Sequence, residues 1–424
     1  MDEPIAKTIL NNGVRIVSKK MPHTRSVSVG VWVNVGARDE SEAESGLSHF
    51  IEHMIFKGTR KRSAYQIAKE FDAIGGHTNA FTAMENTCYH AKVIDSQMET
   101  MVDILSDIFI NSVFDPLEVD KERPVILQEI GMVEDSPDEY VHMLSGNNFW
   151  GDNPLGRSIM GTPENIIRFD AEMIKNFFHR LYLPDRIVIA AAGNLDHKNL
   201  VDLFGPAFEM IQQGNGFSGR VTPRGRTLVD INQRNLEQVH ICLTTSGISV
   251  TDPRRYAFSL LNTILGGNMS SRLFQEVRER RGLAYSVYSF VSSHVDTGMF
   301  GVYIGVDPKR IRETIEVVIG EIHKLKTSRV DAVELQGAIE YTKGNLLLAS
   351  ESTDNQMVRT AQNEIHFEND ISLQSVIEKL ESVSENDILE LAENIFNGRE
   401  LVLTLLGPVD IDKNAIEEIA FQSH

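Results

Sequence analysis

Two strand-forming segments, far apart in the chain, share one pattern of apolar residues that ends in a turn. The first, 187–196, reads IVIAAAGNLD, and the second, 401–410, reads LVLTLLGPVD. A helix with a capping residue precedes each strand, Asp170 in the first copy and Ser384 in the second. Because self-similarity at a fixed separation indicates repeated structural units, the chain is predicted to fold as two similar halves.

The segment between the two copies supports this division. Residues 212–220, QQGNGFSGR, are rich in Gly and polar residues, which is the composition of a linker. We predict a first domain over 1–212, a linker over 213–228 and a second domain over 229–424. At 424 residues the chain is long enough to form two such cores.

The local patterns predict an α+β fold in each half. Alternating valines over 27–35 predict a strand with one apolar face. Long helices are expected over 95–112 and 116–134, with Pro124 kinking or breaking the second. The predicted architecture is two homologous domains, each a mixed, largely antiparallel sheet packed with long helices.

Charge and cysteine content exclude several classes of function. The 60 acidic and 41 basic residues give a net charge of −19, which disfavours binding to nucleic acid or to an anionic bilayer. The same charge would attract cationic peptides or simply keep the protein soluble. Two distant cysteines form no disulfide framework, and no segment resembles a signal peptide or a membrane span. We therefore expect a cytoplasmic protein without membrane insertion.

The three residues His49, Glu52 and His53 carry the most information about function. On a helix predicted over 46–56, positions three and four apart share a face, so all three side chains project to one side. Two imidazoles one turn apart can bind one metal ion, and the carboxylate between them can take a proton from water. The pattern predicts a hydrolytic zinc site, although a half-exposed helix with incidental histidines would read the same way.

Catalytic zinc generally has three protein ligands, so a further ligand is expected elsewhere in the chain. Glu122 and Glu129 are both candidates, because they lie two turns apart on the helix predicted over 116–134. A solvated acidic helix face would carry such residues as well. The residues alone leave the choice between the two carboxylates open.

The chain resembles the pitrilysin-type inverted-motif metallopeptidases, and within them the processing-peptidase branch. The resemblance includes the helix around the His-x-x-Glu-His motif and three further blocks, at 48–59, 153–162, 271–274 and 278–285. In that family a Glu follows the motif at the distance that separates His53 from Glu129. The resemblance therefore implies that His49, His53 and Glu129 bind Zn²⁺ and that Glu122 is a supporting acid.

The resemblance also implies residues that contact substrate. It assigns Tyr285 to stabilisation of the oxyanion and Arg278 to anchoring of the substrate backbone; without it, a packed aromatic and a surface arginine are the ordinary interpretations. Residues 77–82 resemble the family's substrate-binding edge strand, although an edge covered by other segments is the ordinary alternative. The residues expected to bind peptide in this strand are Asn79, Ala80 and Phe81.

Together these features predict a zinc-dependent endopeptidase that cleaves unfolded or short peptides, with Glu52 as the general base. The resemblance further implies a chamber closed by pairing with another chain. Since the sequence identifies no partner, a homodimer, the commonest closed oligomer, is the simplest expectation. An alternative from another class is a non-catalytic structural or assembly subunit, since the family includes such members; those typically lose zinc ligands, which this chain retains. A zinc-dependent peptide-binding module is a third possibility, against which the presence of Glu52 argues.

Overall fold

The computed structural model describes residues 4–421. The chain divides into two compact units, each assembled from three segments. Unit 1 comprises Met1–Gly131, Arg157–Val221 and Leu347–Asp370. Unit 2 comprises Met132–Gly156, Thr222–Leu346 and Ile371–His424.

Unit 1 is built on a mixed sheet of six strands. The strands are β1 (Ala6–Ile9), β2 (Arg15–Lys20), β3 (Ser26–Val33), β4 (His77–Thr82), β5 (Thr87–Ile94) and β6 (Ile187–Gly193). Their order across the sheet is β1-β2-β6-β3-β5-β4. Only β2 and β6 are parallel neighbours; the other pairs are antiparallel.

Unit 2 repeats this topology with five strands. The strands are β7 (Leu228–Gln233), β8 (Val239–Ser246), β9 (Ala284–Ser293), β10 (Gly298–Val306) and β11 (Leu401–Gly407). Their order is β7-β11-β8-β10-β9, again with one parallel pair, β7 and β11. Apart from β1, the two sheets therefore connect their strands in the same order, as the sequence repeat predicts, and the α+β fold class is confirmed.

Fifteen α-helices accompany the strands among residues 4–421. They are α1 (Leu47–Met54), α2 (Ala64–Ala73), α3 (Met98–Asn111), α4 (Pro116–Glu134), α5 (Pro137–Trp150), α6 (Pro163–Arg168), α7 (Ala171–Leu181), α8 (His197–Phe208), α9 (Arg255–Asn262), α10 (Ile311–Thr327), α11 (Ala332–Ala349), α12 (Thr353–Phe367), α13 (Leu373–Glu381), α14 (Glu385–Ile395) and α15 (Lys413–Phe421). Within the described part of the chain, no helix combines the length and the apolar character needed to cross a membrane.

Helix α4 continues through Pro124, so of the two predicted effects the break does not occur, and the kink stays a prediction. A proline inside a helix removes one backbone hydrogen bond and destabilises the local turn. In α4 the apolar side chains of Val119, Ile126 and Ile130 are buried in the core on both sides of the proline. This burial holds the helix in register despite the missing bond.

Each sheet is apolar on both faces, and one face is covered by a helix from the other half of the sequence. In unit 1, Trp32 and Val188 lie on the face opposite to the main core and pack against α12. The Trp32 indole N–H donates to the sulfur of Met357 on that helix at 3.3 Å. In unit 2, α5 packs Val141 against Leu406 of β11 in the same manner.

The compact units therefore differ from the ranges predicted along the chain. Each unit takes one helix from the opposite half, α12 into unit 1 and α5 into unit 2. We keep the division into 1–212, 213–228 and 229–424 as a proposal for the two homologous halves. The contacts within each unit describe how those halves complete one another's sheets.

The packing of α12 generates a stability prediction. Met357 is 1% exposed and packs beside Trp32. Met357→Ala should therefore lower the free energy of unfolding of unit 1 by about 2–5 kcal/mol, because it leaves a cavity in place of the methionine side chain. Urea unfolding followed by Trp fluorescence measures the loss. The control is Met210→Ala, at a methionine of the same unit that is 70% exposed. Equal midpoints for the two variants would contradict the proposed importance of this contact.

Candidate metal centre

Helix α1 begins at Gly46, which adopts a left-handed backbone conformation with φ of +103°. A Cβ atom at this position would lie 2.8 Å from the carbonyl oxygen of Met160, so the close approach requires glycine. Since glycine has no side chain to cap the helix, another residue must satisfy the first amides. The buried Glu40 does so, accepting from the N–H groups of Gly46 at 2.8 Å and Ser48 at 2.6 Å.

The two faces of α1 have different surroundings. Leu47, Phe50, Ile51 and Met54 are buried in the main core of unit 1, which fixes the rotation of the helix about its axis. The opposite face carries three polar side chains, as their spacing predicts. These are His49, Glu52 and His53.

Helix α4 brings Glu129 to the two histidines. Its Oε2 atom lies 3.7 Å from Nε2 of His49 and 3.5 Å from Nε2 of His53. One ligand atom from each residue falls within 4.8 Å of the others, which makes the three a group that could hold a metal ion. Zinc bonds of about 2.0–2.2 Å in a tetrahedron separate ligand atoms by about 3.3–3.6 Å. The two N···O separations at Glu129 are close to this range, and two imidazoles with one carboxylate are a donor set that zinc accepts.

Glu122, two turns before Glu129, occupies a different position. Its buried carboxylate accepts from Nδ1 of His53 at 2.8 Å and from Nζ of Lys57 at 2.5 Å. This contact places Nε2, the other ring nitrogen of His53, on the side of Glu129. In the neutral tautomer with its hydrogen on Nδ1, Nε2 would carry the lone pair that binds a metal. Residue spacing alone left the two carboxylates as alternatives, and the family resemblance assigned Glu129 as the ligand. In the structure Glu129 is the one that lies near Nε2 of both histidines, whereas Glu122 contacts Nδ1 of His53.

The protonation of the cluster follows from burial and from this arrangement of charges. Burial, and secondarily the neighbouring His53, lower the pKa of His49 to about 4, so this imidazole is neutral at neutral pH. Burial also acts to lower the pKa of His53, but Glu122 and the other carboxylates outweigh it and raise the value. Burial acts to raise the pKa of Glu122, yet the hydrogen bonds from His53 and Lys57 bring it below its ordinary value.

Glu52 lies outside the group of three ligand atoms. Its Oε2 accepts from the hydroxyl of Thr82 at 2.7 Å. Burial raises the pKa of Glu52, and the hydrogen bond from Thr82 offsets only part of that effect. A carboxylate that is held in position, does not join the ligand group and has a raised pKa is suited to accepting a proton.

Strand β4 ends at Thr82 and forms one edge of the first sheet. Among residues 4–421 it pairs only with β5, with Asn79 opposite His90 and Phe81 opposite Cys88. Asn79 is exposed, Ala80 is half-buried, and Phe81 is 37% exposed with its ring against Trp32. The backbone groups on the outer side of β4 are therefore open to pairing, although peptide binding by these residues stays a prediction.

Arg278 and Tyr285 belong to unit 2, whereas every other predicted site residue belongs to unit 1. Tyr285 is the second residue of β9, and 78% of it is exposed. The guanidinium of Arg278 lies 4.6 Å from the centre of the Tyr285 ring and 4.7 Å from that of Phe274. The two residues thus contact each other, and their role towards substrate stays a prediction.

Three residues that support the cluster were not predicted from the sequence: Glu40, Lys57 and Thr82. A signal for Glu40 existed, because a helix that starts at glycine needs an acceptor for its first amides and acidic residues precede it. Thr82 and Lys57 carried no comparable signal. Their contacts with Glu52 and Glu122 depend on where β4 and α4 lie in the fold.

Curated relatives match nearly the whole chain. An uncharacterized zinc protease of Streptomyces coelicolor is 39% identical over 419 residues, which cover 97% of this chain and 91% of that protein. The uncharacterized zinc protease YmxG of Bacillus subtilis is 40% identical over 407 residues, covering 95% of this chain and 98% of that protein.

Solved structures share the fold. A protease from Helicobacter pylori aligns with a TM-score of 0.88 at 20% identity, covering 96% of this chain and all of that one. A structure from Pseudomonas fluorescens described as a peptidase M16 inactive domain aligns with a TM-score of 0.90 at 17% identity and covers 96% and 99% of the two chains.

Two consecutive ranges of the sequence match two family descriptions. Residues 168–341 match the peptidase M16 inactive domain, a range that contains neither histidine of the cluster nor Glu52 or Glu129. Residues 15–163, which contain all four, match Insulinase (Peptidase family M16). With two matched ranges and relatives that are 39% and 40% identical over 91% and 98% of their length, the chain belongs to peptidase family M16.

Proposed function

We propose that this protein is a zinc-dependent endopeptidase acting on unfolded or short peptides. The observation that carries the proposal is the grouping of His49, His53 and Glu129 within 4.8 Å, with the Glu52 carboxylate beside it and outside the ligand group. The zinc proteases among the relatives support the choice of metal. A zinc ion held by these three side chains would act as a Lewis acid towards the scissile carbonyl and an attacking water.

The histidines and carboxylates of the chain prepare this site before substrate arrives. A neutral His49 offers a nitrogen lone pair without first losing a proton, which its low pKa ensures. Glu122 accepts the Nδ1 hydrogen of His53 and so holds that ring in the tautomer and orientation suited to metal binding. Lys57 balances the negative charge of Glu122.

Glu52 moves the proton. Its carboxylate takes a proton from the water as the water attacks the peptide carbonyl, and then delivers that proton to the leaving amine. Thr82 donates to Oε2, which leaves Oε1 of Glu52 available for the transfer. The raised pKa of Glu52 brings its basicity closer to the range that suits proton transfer at neutral pH.

The edge strand β4 is our proposal for peptide binding. An extended substrate could add alongside Asn79, Ala80 and Phe81 by backbone hydrogen bonds, which bind many sequences with little side-chain selectivity. The contact between Thr82 and Glu52 connects the end of this strand to the proposed general base. We also propose, from the family resemblance, that Arg278 and Tyr285 donate to the substrate backbone and to the developing oxyanion.

A non-catalytic structural subunit is the alternative from another class. The match of residues 168–341 to an inactive domain is compatible with either function, since that range contains no residue of the metal cluster. The intact donor set and the separate Glu52 favour the enzyme. We further propose that two copies act as a homodimer, the commonest closed oligomer, around an interior that admits extended peptides.

Substitution of the proposed base tests the mechanism. Glu52→Gln should retain zinc and lose about 10²–10⁴-fold in kcat towards a fluorogenic peptide, because an amide cannot accept the proton. The matched control is Glu99→Gln on the exposed surface of α3, which should cleave normally. Wild-type turnover by the Glu52 variant would remove this residue from the mechanism.

The two carboxylates of α4 should differ in their effect on metal binding. Glu129→Gln removes a charged ligand and should leave the purified protein with substoichiometric zinc. Glu122→Gln should keep zinc but weaken its affinity about 10–100-fold, because only the partner of His53 changes. Metal analysis and titration against a competing chelator measure both effects. Equal affinities for the two variants would contradict the assigned roles.

The proposed homodimer can be tested by varying the protein concentration. Sedimentation at working concentrations should detect a dimer, and specific activity should fall when dilution dissociates it. A short unfolded peptide should also outcompete a stably folded protein as substrate. A monomer that stays fully active on dilution would rule out an obligatory pair.

A further inference from the structure

The segment that joins β6 and α8 to β7 contains no helix or strand between residues 212 and 227, as its composition predicts. Its first part is nevertheless packed against unit 1. A Cβ atom at Gly216 would lie 2.1 Å from the carbonyl oxygen of Arg180, so the backbone runs in direct contact with the end of α7. The residue after Gly216 is Phe217, and the guanidinium of Arg186 stacks over its ring. This part of the segment is held in place.

The strongest attachment is the side chain of Arg220, which is only 10% exposed. Its Nε and Nη2 atoms donate to the two carboxylate oxygens of Asp39 at 2.9 and 2.8 Å. Nη2 also donates to the backbone oxygen of Glu85 at 2.8 Å and to the side-chain oxygen of Asn34 at 3.2 Å. Only an arginine offers this planar fork of donors.

The surrounding charges make Arg220 difficult to replace. Asp39 and Glu85 are 1% and 6% exposed, and the second buried cation nearby is Arg38. Arg38 pairs with Glu85 at 2.5 Å and donates to the backbone oxygen of Val221, immediately after Arg220. The two buried carboxylates thus face Arg220 and Arg38, with Arg186 close enough to Asp39 to interact with it electrostatically. Removal of Arg220 takes away the direct partner of Asp39 and leaves two buried negative charges less well compensated.

The residues that Arg220 binds belong to two loops that are themselves joined. The loop before α1 donates from the N–H groups of Ala37 and Arg38 to the carbonyl oxygens of Ala83 and Met84, in the turn between β4 and β5. There is no space for a side chain between the loops, because a Cβ at Gly36 would lie 2.3 Å from the oxygen of Ala83. Arg220, which lies in the linker, binds one residue of each loop, Asp39 and Glu85.

Each of these loops leads directly to the proposed site. Asp39 precedes Glu40, whose carboxylate holds the first amides of α1 and so sets the start of the helix that carries the histidines. The turn at Glu85 follows Thr82, which holds Glu52. Two of the residues that Arg220 contacts therefore lie close to the anchors of the site in the sequence: Asp39 is next to Glu40, and Glu85 is three residues from Thr82.

We propose that Arg220 is a positioning residue for peptide cleavage: by binding Asp39 and the Glu85 turn, it fixes the start of α1 and the end of β4 relative to each other. The inference rests on the proposed function and deepens it. The linker thereby becomes part of the site's support as well as a connection between sequence halves. A simple tether would need none of these buried contacts.

Arg220→Gln tests the proposal, with Arg220→Lys as the conservative variant and Arg224→Gln, at an exposed position of the same segment, as the matched control. Two quantities are measured: steady-state kinetics on a fluorogenic peptide with saturating zinc, and backbone hydrogen exchange along the chain. We expect Arg220→Gln to lower kcat about 10–100-fold, because small misplacements of reacting groups have effects of that size. Arg220→Lys keeps the charge without the fork and should recover part of the rate.

Hydrogen exchange should accelerate about 10-fold or more in 36–48 and 82–88 and remain unchanged in α3 and α7, since the loosening is local. The double variant Arg220→Gln, Asp39→Asn should have a kcat no lower than that of the slower single variant. The reason is that each substitution removes the same interaction, the ion pair between Arg220 and Asp39. Unchanged kcat with faster exchange confined to 214–224 would overturn the proposal. Faster exchange throughout unit 1 would overturn it too, since the role would then be global stability. If the wild-type protein with saturating zinc does not cleave peptides, the proposed function is wrong. Hydrogen exchange in 36–48 and 82–88 would then still test whether Arg220 couples the loop before α1 to the turn between β4 and β5.

Discussion

The structure depends on one constraint: both faces of each central sheet are apolar and must be covered. Strands β6 and β11 are buried along their whole length, which is the pattern of strands enclosed on two sides. In each unit, the main core lies against one face of the sheet. The other face is closed by α12 in unit 1 and by α5 in unit 2, each supplied by the opposite half of the sequence. Neither half of the chain by itself contains all the helices that its sheet needs.

The same covered core gives the metal cluster its rigidity. Four apolar residues of α1 are fixed in the interior of unit 1, so the histidines on the opposite face have little freedom to rotate away. The start of the helix is fixed by Glu40 and its far side by α4. A set of ligands prepared in this way loses little entropy when it binds a metal ion or substrate. Glu52 gains its position from β4, so the proposed base and the proposed peptide-binding edge are parts of one arrangement.

Much of this arrangement was predictable because helical periodicity is a local property. The spacing of His49, Glu52 and His53 places them on one face whatever the tertiary structure, and Glu122 and Glu129 share a face of α4 for the same reason. The repeat at 187–196 and 401–410 predicted two similar sheets, which the matching strand orders confirm. Local pattern did not predict the uninterrupted course of α4 through Pro124, because burial of its apolar side chains outweighs the lost hydrogen bond.

The sequence by itself therefore determined the fold class, the duplicated topology and the helix face that carries the metal-binding pattern. The first and third follow from periodicities of a few residues, and the duplication follows from the repeat of one pattern at 187–196 and 401–410. Only the tertiary structure decided which carboxylate lies near both histidines and which one binds His53 from behind, because that depends on how α4 packs beside α1. It also decided that a glycine-rich linker would be anchored at Arg220. Composition describes how freely a segment can move when nothing holds it, whereas the contacts that hold it come from Asp39 and Glu85, residues far away in the sequence and close in space.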